Sequence, residues 1–156
     1  MHRYERGFTL VELMVAMALI AILASLGVPA FNQLLERNKV DTDLAILQSA
    51  LSACRLEAIN KSSDMALVRS GASWGGGLEV RLGSGANSSD VVRKLPAMAA
   101  GATVAVSVDN LSTIVFNSLG GLSSPANGVT FSYTRGAYSK TLSVCASGRV
   151  VVGNCS

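Results

Sequence analysis

Residues 6–31 read RGFTLVELMVAMALIAILASLGVPAF, and the fold turns on how that stretch is taken. Residues 13–31 are nineteen in a row without a charge, close to the roughly 20 that a helix needs to cross a bilayer core. Glu12 stands at the edge of the run, and a short basic peptide, residues 1–7 with Arg3 and Arg6, precedes it. A plain membrane anchor explains the run but neither the carboxylate nor the glycine ahead of it. A carboxylate in apolar surroundings costs on the order of 2.5–3.5 kcal/mol even on lenient scales. Glu12 therefore needs a neutralising partner, unless it lies at the interface near the helix start, where the helix dipole favours it. A secretory signal is cut after its apolar core at small residues; Ala24, Ser25 and Gly27 are poor candidates for such a site.

The remaining composition suits one folded domain behind one helix. The chain has 156 residues and a formal charge of +3, too mild to argue for nucleic acid by itself. Its one histidine, His2, lies in the N-terminal peptide. If that peptide is removed, Ser-His and Cys-His catalysis and His-ligated metal sites are excluded, and no enzyme activity, cofactor or metal is expected. Cys54, Cys145 and Cys155 are an odd number, so an exported form holds at most one internal disulfide.

Helical character continues beyond the apolar run. Gly27 and Pro29 predict a kink. Leu44, Leu47, Leu51, Cys54 and Ala58 then recur at spacings of three and four, the apolar stripe of an amphipathic helix that fades within 60–64. Arg37, Lys39, Asp41, Asp43, Gln48 and Arg55 fall largely off that stripe. From residue 65 the pattern changes to short β-like runs: 65–69, 78–82, 91–95, 103–108, 114–116, 129–133, 142–146 and 150–152. Turn signals separate them at Gly120-Gly121, 125–128, Arg135-Gly136 and Ser147-Gly148. Strands that follow one long helix without helical crossovers predict an α+β fold with antiparallel sheet. Trp74 reads as core or as a cover over the helix–sheet seam, and Arg55 and Glu57 as a solvated helix face. Gly75, Gly76 and Gly77 lack the Lys-Ser/Thr of a phosphate loop. Asp90, Arg93 and Lys94 read as a charged edge strand that discourages unwanted pairing.

Gly7, Phe8, Thr9, Leu10, Val11, Glu12 and Leu13 resemble the G-F-T-L-x-E-L signal of type IV pilins and type II secretion pseudopilins. The resemblance extends along the chain. Residues 51–60, LSACRLEAIN, look like the helix end of minor pilins of the FimT/FimU kind and of the pseudopilin GspH, with Cys54 where alanine is usual. Residues 74–80, Phe116 to Gly120, and Ser147-Gly148-Arg149 resemble their W-x-x-G, F-x-x-x-G and S-G-R segments. This resemblance implies a pilin-like fold with a leader at 1–7, a transmembrane and assembly helix at 8–31, and a periplasmic domain at 32–156. The domain comprises a helix at 32–60 and a β-domain at 65–156. It implies cleavage between Gly7 and Phe8 by a prepilin peptidase, N-methylation of Phe8, and neutralisation of Glu12 by the amino terminus of a neighbouring subunit.

The implied protein is a single-pass bacterial inner-membrane prepilin that enters a pilus fibre at the cell surface. Its partners are major and minor pilins, the inner-membrane assembly platform and membrane lipid. It helps to start or cap a type IV pilus that serves twitching, adhesion or DNA uptake; the alternatives are a type II secretion minor pseudopilin and a DNA-binding minor pilin for natural transformation. Cys54 lies on the apolar stripe, so Cys145 and Cys155 are expected to form the disulfide. Some FimT-like proteins are understood to bind DNA through a C-terminal G-R-x-R motif. Here Val151 replaces the second basic residue, leaving Arg149 with Arg135 and Lys140 as supplementary candidates; DNA contact is the less favoured reading.

Overall fold

The computed structural model describes residues 8–85 and 90–155, apart from the side chains of 26–30. The leader, residues 1–7, lies outside it, as do residues 86–89 of the Gly-, Ser- and Asn-rich segment 83–90, which reads in sequence as a flexible loop. Helix α1 spans Leu10–Lys61. Nine strands follow among the described residues: β1 Met65–Arg69, β2 Leu78–Leu82, β3 Val91–Leu95, β4 Thr103–Val106, β5 Thr113–Phe116, β6 Leu122–Ser124, β7 Val129–Arg135, β8 Tyr138–Val144 and β9 Val150–Val152. They form two antiparallel sheets, ordered β3-β2-β1-β5-β6 and β4-β7-β8-β9. The chain divides into two compact units, residues 1–35 and 36–156.

The second unit is built on the helical stripe. Leu44, Leu47, Leu51, Cys54 and Ala58 are buried, Val40 extends the row towards the N-terminus and Ala50 widens it. They pack with Met65, Leu67, Ile114 and Phe116 of the first sheet and Phe131, Leu142 and Val144 of the second. Along β7 the buried residues Val129, Phe131, Tyr133 and Arg135 alternate with the more exposed Thr130, Ser132 and Thr134, so one face of the strand reaches this core. Trp74 covers the core as expected: its ring meets Phe131 edge-on at 5.2 Å, and its N–H donates to the Leu111 carbonyl at 2.9 Å. Buried indole needs such a partner.

Several expectations change. There are two sheets. Strand β6 was not anticipated, because Leu122-Ser-Ser has no periodicity of its own; pairing with β5 makes it a strand. Strand β8 begins at Tyr138 and ends before Cys145, where 142–146 was expected. Its first half, Tyr-Ser-Lys-Thr, is polar and becomes strand through its ladder with β7. Asp43 is buried instead of solvated. It stands three residues after Val40 and four before Leu47, so it shares their face of the helix.

Helix α1 continues through Gly27 and Pro29, where the kink was expected. Among the described residues no helix is long and apolar enough to cross a membrane. The uncharged run 13–31 includes residues 26–30, whose side chains lie outside those described.

Candidate functional site

The N-terminal unit presents an apolar helix. Phe8, Leu10, Val11, Met14, Met17, Ile20 and Leu23 are each more than half exposed. A helix that is apolar all round is a buried or membrane-embedded element, so this surface needs a covering. Thr9 caps it: its Oγ1 accepts the Glu12 N–H at 3.2 Å, and its carbonyl accepts the Leu13 N–H at 3.2 Å. Thr9 and Glu12 therefore occupy the first and last positions of a capping box, three residues apart. The Glu12 side chain is exposed. Sequence reading assigned Glu12 an assembly role; its position at the helix start adds a local one.

In the second unit, three segments of the sequence resemblance meet. Arg55 on α1 donates from Nε to the Gly120 carbonyl at 2.8 Å, tying the helix to the β5–β6 turn. It is therefore a structural cation, not simply part of a solvated face. Gly148, on the β8–β9 turn, abuts that same carbonyl: a Cβ there would lie 1.9 Å from the Gly120 oxygen and 3.2 Å from Arg55 Nε. Gly120 is equally confined, because its Cβ would fall 2.7 Å from Ile59 Cδ1. Both glycines have positive φ, 78° and 79° respectively, a region that strongly favours glycine. Gly148 is buried, while Arg149 beside it is exposed.

The cysteines pair as expected. Cys145–Cys155 is a disulfide with Cα atoms 5.7 Å apart, and Cys54 is a buried free thiol. The bridge spans ten positions and pins the segment after β9 to the end of β8. Opening so short a loop should lower stability by about 2–3 kcal/mol. Reduction followed by thermal unfolding is expected to show that loss, while Cys54 stays unreactive to thiol reagents until the domain unfolds.

The three candidate DNA contacts do not come together. Arg135 is buried and bonded from Nε to Glu36 Oε2 at 2.6 Å, and its Nη1 donates to the carbonyls of Ala99 and Ala100 at 3.2 and 2.7 Å. This pairing, with Lys39, holds the Glu36 carboxyl below the usual carboxylate range. Lys140 pairs with Asp41. Arg149 belongs to the opposite end of the second sheet: Lys140 registers with Tyr133, whereas Val150 registers with Val144. Four strand residues separate those points, about 13 Å. Proximity in sequence suggested a cluster, but the hairpin carries Arg135 and Lys140 away from Arg149.

Sequence reading also missed the polar core beside Arg135. Asp43 accepts the Tyr133 hydroxyl at 2.6 Å and the Ala99 N–H at 3.2 Å. Burial, and then the Asp43 carboxylate, push the Tyr133 hydroxyl up from 10.0 to about 12. Burial, and then Glu57, push the Cys54 thiol up from 9.0 to about 12. Both groups hold their protons more tightly when folded. Their contribution is complete below pH about 9 and declines as pH rises towards 12. In alkaline titrations of stability, Tyr133→Phe should flatten the part of that decline above pH about 10. At neutral pH it should cost about 1.5–3 kcal/mol through the lost bond to a charged acceptor.

A methylation-type N-terminus on a helix, followed by a helix packed with antiparallel sheet, defines a pilin-like protein. Residues 2–28 match the Prokaryotic N-terminal methylation motif, and residues 46–148 match the family described as Type II transport protein GspH. The chain belongs to the GspH family, within the group of type IV pilins and type II secretion pseudopilins. The type IV minor pilin FimU of Pseudomonas aeruginosa has the same fold, with a TM-score of 0.69 at 22% identity over 76% of this chain and 91% of that one. The type IV major fimbrial protein FimA of Dichelobacter nodosus is 39% identical over 46 residues, 30% of this chain and 29% of its own. Type II secretion system core protein G of Klebsiella pneumoniae is 41% identical over 56 residues, 34% of this chain and 40% of its own. The chain thus spans about a third of the length of the curated relatives it matches.

Proposed function

We propose that this chain is a minor pilin, incorporated into a type IV pilus that it helps to start or cap, in support of twitching, adhesion or DNA uptake. The observation that carries this reading is the exposed apolar side chains of the N-terminal helix behind a methylation motif. Before assembly, lipid of the inner membrane covers that helix; in the fibre, neighbouring pilin helices do. A prepilin peptidase cuts between Gly7 and Phe8, the new amino terminus is methylated, and the assembly platform draws the subunit from the membrane with its domain on the periplasmic side. Glu12 pairs with the amino terminus of a neighbour, since an unpaired carboxylate opposes burial.

The second reading is a type II secretion minor pseudopilin, which the GspH match over residues 46–148 favours. The same N-terminal chemistry serves both, and the genes beside this one would separate them. Fibres sheared from producing cells provide the experimental test. A minor pilin should be present in them at low abundance, and its deletion should reduce fibre number. Unchanged fibres that lack the chain, together with failure of protein secretion in the deletion strain, would select the pseudopilin instead.

A further inference from the structure

An open groove of about 490 Å³ runs between the end of α1 and the β8–β9 turn, lined by Ser52, Arg55, Leu56, Ile59, Arg149 and Val150. Its helical wall carries apolar side chains facing solvent: Leu56 is 57% exposed and Ile59 43%. Leu119, 88% exposed, adjoins Gly120, which packs against Ile59. Arg149 is exposed and has no salt bridge among the described residues. We propose that this groove seats an apolar side chain flanked by a carboxylate, contributed by a neighbouring pilin-type subunit of another kind. The inference rests on the assembly reading above and names one contact within it.

The groove is already in binding form. One wall is a helix tied to Gly120 through Arg55, and the other is a turn ahead of a disulfide-pinned segment. Little ordering is therefore needed on docking. The apolar wall takes the apolar anchor, and two guanidiniums at the groove select for a negative flank. Nucleic acid fits less well, because phosphate tracking needs several aligned cations, and Arg135 and Lys140 are paired elsewhere. A second copy meeting this face to face fits less well, because Arg55 and Arg149 would approach their own counterparts, a like-charge contact that opposes pairing.

The test uses the full chain in producing cells, with a photo-crosslinking p-benzoylphenylalanine replacing Leu56 and, separately, Leu19. Leu19 lies on the N-terminal helix and reports assembly alone. Position 56 is expected to yield an adduct whose partner peptide belongs to a different pilin-type subunit. Arg149→Glu should reduce that adduct at least about tenfold, Arg149→Lys should retain it, and the Leu19 adduct should persist in both. Adducts at position 19 without any at 56 would overturn the groove and leave assembly standing. An adduct at 56 with DNA or with a second copy would overturn it too. Adducts at neither position would overturn assembly and groove together.

Discussion

Gly148→Ala is expected to destabilise the folded domain by about 2–5 kcal/mol. Two costs combine. An alanine held at φ +79° sits in the left-handed region at about 1–2 kcal/mol. Its Cβ would also lie 1.9 Å from the Gly120 carbonyl oxygen, a backbone atom that cannot swing aside as a side chain can. Relief requires the β5–β6 turn to move, which strains its bond to Arg55; overpacking of this kind costs about 1–3 kcal/mol. Against a total stability of about 5–15 kcal/mol, that is a large share. Gly153→Ala is the control. It has φ +96°, but nothing lies within 4 Å of its added Cβ, so it should lose only the conformational part, about 1–2 kcal/mol. Denaturant unfolding of the two variants in detergent solution checks the difference. Equal losses would mean that the contact among Gly148, Gly120 and Arg55 does not organise the domain.

Glu12→Val is expected to leave membrane insertion intact or improved, because it removes a charge from an apolar segment, and to reduce entry into fibres at least about tenfold. Breaking a buried charge pair costs about 3–5 kcal/mol, and each 1.4 kcal/mol is tenfold. Glu12 also stands in the first turn of α1, where a carboxylate favours the helix start, so a competing explanation is that the variant harms only the helix start. Glu12→Gln separates the two: glutamine serves a capping box as glutamate does, but carries no charge. If pairing with a neighbour's amino terminus is the cause, Glu12→Gln should fail as Glu12→Val does. If it enters fibres at wild-type levels, Glu12 acts through the cap and the pairing role is wrong.

The sequence spoke clearly where one residue type admits one structural use. The stripe from Leu44 to Ala58 and the strands at 65–69, 78–82 and 91–95 were legible because burial imposes periods of 3.6 and 2. The disulfide was legible because Cys54 lay on the stripe. Interactions between distant polar groups were not. Nothing local marks Arg55 as the partner of a carbonyl 65 positions away, or Arg135 as the partner of Glu36, 99 positions away. Asp43 was misjudged by its charge, although its spacing placed it inward. The short segments Phe116 to Gly120 and Ser147 to Arg149 looked unrelated in sequence. Their common reason is steric, since two turns and one helix meet where only glycine fits.

The N-terminus of the protein recovered from membranes tests the central claim most directly. A pilin-type subunit keeps its apolar helix because it is cut ahead of it, whereas a secretory precursor loses the helix because it is cut behind it. Intact-mass and N-terminal peptide mass spectrometry should find the chain starting at Phe8 with one added methyl group on its amine. A chain that starts anywhere after Ala24 would have lost the helix on which assembly depends and would contradict the account.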